Sequence, residues 1–191
     1  MVLAYHAIFG SYGFWLPNDP RGSWSDFVGA WELLRFGKAT KTAERCSLAQ
    51  APHDRALRER AKVAMKFSPV IFSRQQAMAV AAGFDRARGE AGYRIYACTI
   101  MPAHVHLVIG RHDGRRVERI VGHLKTRATQ QLKTATLWPT NDQPVWGENT
   151  WKVFLNTIED IEQAVRYVEE NPVKEGKPAQ HWPFVVPWNV Y

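Results

Sequence analysis

Apolar and polar positions recur with periods that divide most of the chain into seven elements. Residues 3–12, rich in aromatic and aliphatic side chains, predict a first strand. Trp15-Leu16-Pro17-Asn18-Asp19-Pro20-Arg21-Gly22 is dense in turn formers, and the pattern stays irregular to about Pro69 apart from a helical stretch over 54–66. We read about 18–69 as an insertion on the core. Residues 73–91 predict a helix opened by Ser73, and residues 92–100 and 103–110 predict a hairpin around Met101-Pro102. Val117, Ile120, Val121, Leu124, Ala128, Leu132 and Ala135 fall at helical spacing within 115–136. A further strand is expected over 144–156. A last helix then starts at Thr157, with Asp160 completing a capping box, and stops at Asn171-Pro172 because the residue before proline disfavours the helical conformation. The tail, about 177–191, is expected to lie extended. Strand, helix, hairpin, helix, strand, helix in that order predict an α+β sandwich: an antiparallel sheet with helices on one face.

The chain has 191 residues, enough for one domain with decorations. Lys plus Arg number 25 against 18 Asp plus Glu, and the resulting +7 charge favours polyanionic partners, nucleic acid first. Charge alone equally fits a basic protein whose charge serves solubility. Cys46 and Cys98 stand far apart and form no metal-binding pair, so neither a disulfide framework nor a zinc ribbon is expected. No apolar run approaches the ~20 residues of a membrane span. The N-terminal Met-Val-Leu-Ala-Tyr-His lacks signal-peptide character, so a cytoplasmic protein without membrane contact is expected.

Three features bear on chemistry. His104 and His106 are two apart on a strand, so both imidazoles leave the same face about 6–7 Å apart at Cα, near enough to converge on one metal ion. Such a pair also fits two histidines making ordinary hydrogen bonds. Tyr167 and Asn171 are four apart on a helix and therefore neighbours, on the flank of the stripe Ile158, Ile161, Ala164, Val165 and Val168. They equally fit a boundary tyrosine and a residue closing a helix before Pro172. Arg111, Arg115, Arg116, Arg119, Lys125, Arg127 and Lys133, set against Asp113 and Glu118, give a basic helix face able to hold phosphates, or simply a solvated one.

Met101-Pro102-Ala103-His104-Val105-His106-Leu107, followed by Tyr167-Val168-Glu169-Glu170-Asn171-Pro172-Val173-Lys174, resembles the IS200-like single-tyrosine (Y1, HUH) transposases. More narrowly it is similar to their REP-associated branch, as are Tyr12-Gly13-Phe14-Trp15-Leu16-Pro17 and Asp19-Pro20-Arg21-Gly22. The resemblance covers residues 73–176 and implies an RRM-like (ferredoxin-like) fold across a single domain, 1–191. It implies that His104, His106 and Asn171 hold a catalytic divalent metal, Mg²⁺ or Mn²⁺, and that Tyr167 is the nucleophile. It further implies single-stranded or hairpin DNA as substrate, cut through a 5′-phosphotyrosine intermediate. For DNA contacts we single out Arg115, Arg116, Arg119, Lys125, Arg127, Lys174, Trp15 and Arg21, with Trp24, Trp146 and Trp151 as further base-stacking candidates. Ala103 departs from the family's usual Asn, Glu175 stands in a stretch usually more neutral, and residues 23–68 exceed the minimal family member.

Other readings predict other residues. A domesticated, non-catalytic nucleic-acid binder with an RRM-like sheet would carry stacking aromatics where the histidines stand. A phosphoesterase using water would add carboxylate ligands, and a relaxase or replication initiator would add a third histidine nearby; His112 and His123 do not sit at that spacing. Monomer and homodimer are both compatible with the chain.

Overall fold

The computed structural model describes residues 1–17, 19, 31–37, 54–139 and 141–188. The expectations placed on Arg21, Trp24, Cys46 and much of the 18–69 insertion lie outside these residues.

Four strands, β1 (Ala4–Ser11), β2 (Ile95–Ile100), β3 (His104–Gly110) and β4 (Trp146–Leu155), form an antiparallel sheet in the order β2-β3-β1-β4. The hairpin of β2 and β3 sets Thr99 opposite His106 and Ile100 opposite Val105, with an irregularity between Ile95 and Ala97. Among the described residues the α-helices are α1 (Arg55–Val63), α2 (Arg74–Ala91), α3 (Val117–Thr134) and α4 (Ile158–Lys174). Their ends follow local chemistry. Ser73 and Gln76 exchange bonds as a capping box at the start of α2, and Thr157 and Asp160 do the same for α4. Gly92 closes α2 at φ +70, a left-handed conformation that glycine adopts without penalty.

The chain divides into two compact units. The first comprises Met1–Phe9, Phe72–Asp142 and Thr150–Tyr191. In it, side chains alternate across the sheet, so Phe9 leaves β1 on the side opposite Ala4 and His6. Phe9 meets Phe84 of α2 with ring centroids 6.1 Å apart, and Lys125 of α3 lies 5.2 Å over its ring. The helices α2 and α3 therefore cover that face. They approach closely at Gly83, where a Cβ would overlap the Ala128 backbone.

The last helix differs from the one-sided arrangement expected from element order. Ile161, Ala164 and Val168 of α4 pack with Ala4, Ala97, Val108 and Leu155, on the face that carries His6 and His106. Its end also corrects the sequence expectation. The helix does not stop at Asn171-Pro172 but runs to Lys174 with Pro172 inside its last turn. One lost backbone bond is tolerable there, because the carbonyl deprived of its amide, that of Val168, accepts instead from Thr99 Oγ1 at 2.6 Å.

Beyond α4 the tail runs along β2. The Gln180 carboxamide donates to the Ile100 carbonyl and accepts from the Ile100 amide at 2.9 and 2.8 Å, and the Val186 amide donates to the Ile95 carbonyl. These bonds pair groups that an outer strand would otherwise leave open.

The second unit comprises Gly10–Ile71 and Gln143–Asn149. Its described part includes a short 3-10 helix, Trp31–Phe36, and a small core of Leu16, Leu33, Phe36 and Ala61. Arg58 pairs with the buried Asp19 at 3.2 Å, and the Ser11 hydroxyl donates to the Val70 carbonyl. Among the described residues no helix is long and apolar enough to cross a membrane.

Candidate active site

The face of β1 and β3 that α4 crosses carries three imidazoles. His104 and His106 leave β3 on this side, as strand alternation requires, with ring centroids 4.9 Å apart. His6 leaves the neighbouring β1 towards them. Its Nε2 and the His106 Nδ1 lie 3.2 Å apart and share a hydrogen bond, and the two rings stack at 5.4 Å. With the proton on His106 Nδ1, the bond runs to His6 and leaves His106 Nε2 free to donate to a metal.

The Tyr167 ring arrives from α4 at 5.6 Å from the His106 ring and 5.7 Å from the His6 ring. It is 38% exposed, so its hydroxyl end is not sealed in the aliphatic core. Lys174, one of the residues expected at DNA, lies 5.6 Å over the same ring and pairs with Glu170 at 2.8 Å. Trp151 of β4 comes within 6.5 Å of the His6 ring, which puts one of the expected stacking tryptophans at the site's edge.

Asn171, one turn after Tyr167, is buried, and its Oδ1 has no hydrogen-bond partner among the described residues. A buried carbonyl oxygen left unpaired costs about 1–3 kcal/mol unless something else engages it. A divalent cation suits such an oxygen, so His104, His106 and this carboxamide are the side chains that could hold one. Among the described residues no group of three or more His, Cys, Asp or Glu is arranged to hold a metal.

Burial keeps His6 and His106 neutral. It lowers the His6 pKa to about 4 and holds His106 well below the ordinary value of 6.5, with the nearby His104 and His6 adding to the effect on His106. Neutral imidazole is also the form that binds metal. Because the folded values lie below the unfolded ones, the unfolded chain takes up protons first. Stability is therefore full above pH 6.5 and declines as pH falls towards 4. For His6 alone the loss amounts to roughly 3 kcal/mol at the low end of that window. Urea denaturation of metal-free protein should show the midpoint falling between pH 7 and pH 5, with a shallower fall in His6→Gln. Parallel pH profiles for the two proteins would contradict a buried, neutral His6.

His6 was not singled out from the sequence. The available signal was a lone polar ring in the apolar run Leu3–Phe9, but nothing local shows that β1 lies beside β3. The expected basic residues are only partly brought here. By the alternation argument α3 packs behind the sheet, away from the histidine face. There Arg127 donates to Glu90 at 2.6 Å, a carboxyl held down at about 2 by its bond from Arg86 and then by those from Arg127 and His123. Arg115 donates to the Tyr93 hydroxyl at 2.7 Å, Lys125 lies over Phe9, and Arg116 and Arg119 are exposed. Trp15 belongs to the second unit, where its ring meets Phe14 at 4.5 Å.

The family model for IS200-like transposases matches residues 63–171, more than half the chain and a span that includes His104, His106, Tyr167 and Asn171. The chain belongs to the IS200-like transposase family. Within that family it is 28% identical over 102 residues to a Haemophilus influenzae protein provisionally named a REP-associated tyrosine transposase. The match takes in 48% of this chain and 57% of the relative, so the chain spans little more than half of that protein's length. Among solved structures, a REP-associated tyrosine transposase bound to a REP hairpin aligns over 95% of this chain and 74% of its own, with a TM-score of 0.50 and 14% identity. A provisionally named transposase from Deinococcus radiodurans aligns over 94% of both chains, with a TM-score of 0.46 and 12% identity. At these identities the first of the two structures supports the IS200-like transposase fold and nothing finer.

Proposed function

We propose that this family member is a metal-dependent endonuclease and strand transferase for single-stranded or hairpin DNA, with Tyr167 as its single nucleophile. The observation that carries the reading is the half-exposed Tyr167 ring beside His106, itself next to His104. His104, His106 and Asn171 would hold the divalent ion, which supplies polarisation of the scissile phosphate and neutralises charge developing on it. A phenol is a poor nucleophile at neutral pH, its ordinary pKa being about 10, so positioning and local charge must compensate.

In the step, the Tyr167 oxygen attacks phosphorus, an O–P bond forms, and the bond from phosphorus to the 3′-oxygen breaks. The phenolic proton ends, net, on the released 3′-hydroxyl. One phosphodiester is exchanged for another, so the reverse attack by a 3′-hydroxyl can join a new end without an energy source. Lys174 supplies positive charge near the phenol, and Trp151 offers a flat surface on which an unpaired base can stack. A paired strand has no unstacked base to offer that ring, which favours single-stranded segments.

The test is incubation of the protein with 5′- and 3′-labelled hairpin DNA carrying single-stranded flanks, with Mn²⁺ or with a chelator, followed by denaturing electrophoresis. A protein-linked product retaining the label 3′ to the cut, present only with the metal, is expected. Hairpin binding without any cleavage would instead favour the non-catalytic reading.

A further inference from the structure

We propose that Thr99 is a positioning residue that holds the turn of α4 between Tyr167 and Asn171 against the histidine-bearing hairpin; this rests on the reading of Tyr167 as nucleophile. Along an α-helix each carbonyl accepts from the amide four residues on. For Val168 that residue is Pro172, which has no amide hydrogen and whose ring crowds the carbonyl it faces. Val168 is fully buried, so water cannot fill the gap. Thr99 Oγ1 does so at 2.6 Å, from a side chain only 1% exposed.

Both ends of that bond are informative. Val168 directly follows Tyr167, and Asn171 directly precedes the proline that creates the vacancy. Thr99 stands opposite His106 in the β2–β3 ladder. One hydroxyl therefore ties the backbone at the nucleophile to the strand pair that carries the metal-binding imidazoles. A helix satisfied only within itself could rotate or slide by fractions of an ångström over the apolar cluster of Ile161, Ala164 and Val168, because hydrophobic contact is non-directional. The hydroxyl-to-carbonyl bond has direction and length, and near-attack geometry is sensitive at that scale. Pro172 removes the competing amide, so the Val168 carbonyl is left to the sheet.

This predicts an interaction between two substitutions, and a fall in rate at unchanged DNA affinity that a merely structural threonine would not show. Thr99→Val keeps the shape and removes the donor; about a tenfold fall in the single-turnover rate of adduct formation is expected, with DNA affinity unchanged. Amide exchange over residues 167–174 should rise by a similar factor. Thr99→Ser keeps the donor and should stay within about threefold of wild type. Pro172→Ala restores an amide to the helix, so in Thr99→Val/Pro172→Ala that amide can serve Val168, and exchange over 167–174 should return most of the way to wild type. Recovery of slow exchange, or of folding if Thr99→Val alone does not fold, upholds the inference. If Thr99→Val exchanges like wild type, if it forms adduct as fast as wild type, or if adding Pro172→Ala gives no recovery, the inference fails. The exchange measurement needs no DNA. Absence of adduct from wild type would therefore overturn the nucleophile reading while leaving the Thr99–Val168 link to stand or fall by exchange.

Discussion

Tyr167→Phe should abolish covalent capture of DNA, lowering the rate of adduct formation by at least about 10³-fold while leaving hairpin binding within a few-fold of wild type. The substitution deletes one oxygen and keeps the ring, so the contacts with His6 and His106, and the Lys174 cation above the ring, persist. The ring is 38% exposed, so the stability cost should stay within about 0.5 kcal/mol. Loss of chemistry without loss of fold is therefore the expected signature, read by denaturing electrophoresis of the labelled adduct beside a denaturation midpoint. If the variant cuts hairpin DNA as fast as wild type, water is the nucleophile, and the arrival of α4 over the histidine face has another purpose.

His106→Ala should be nearly as severe, with a fall in cleavage of at least about 10²-fold and a matching loss of Mn²⁺ affinity by calorimetry in the absence of DNA. His106 carries a structural role besides its proposed place among the metal donors. It is 4% exposed and bonds His6, so its removal also leaves a buried imidazole without its partner. His104→Ala removes a proposed ligand from a half-buried position and should lower metal affinity with little change in stability. The contrast between the two is diagnostic. Unchanged Mn²⁺ binding in both variants would remove the metal from this face and leave the imidazoles as structural hydrogen-bonding groups.

The residues proposed as donors and nucleophile were legible because each pair is local. Period two on β3 dictates that His104 and His106 share a face, and period 3.6 on α4 dictates that Tyr167 and Asn171 are neighbours. The helix start at Ser73 and the capping box at Thr157 were likewise readable from short-range chemistry, since every bond involved spans a few residues. His6 was not legible, because its partner His106 is 100 residues away. Nor was the true end of α4. The rule that proline ends a helix assumes that the orphaned carbonyl finds no other donor, and here the hydroxyl of a threonine 69 residues earlier donates to it. The basic face of α3 was counted correctly as charge. Sequence could not show that the sheet stands between that helix and the histidines, or that Arg127 and Arg115 are already engaged with Glu90 and Tyr93.

By itself, then, the sequence determined which side chains leave each element together, where most elements begin, and a family membership carried by two short ordered motifs. The tertiary structure decided that α4 lies across the histidine face rather than behind the sheet. It also brought His6 to His106 and used Thr99 to complete a helix broken by proline. The division has a physical origin: periodicity states the direction in which a side chain departs from its own backbone, whereas what it meets depends on strand order and on which face a distant apolar stripe covers.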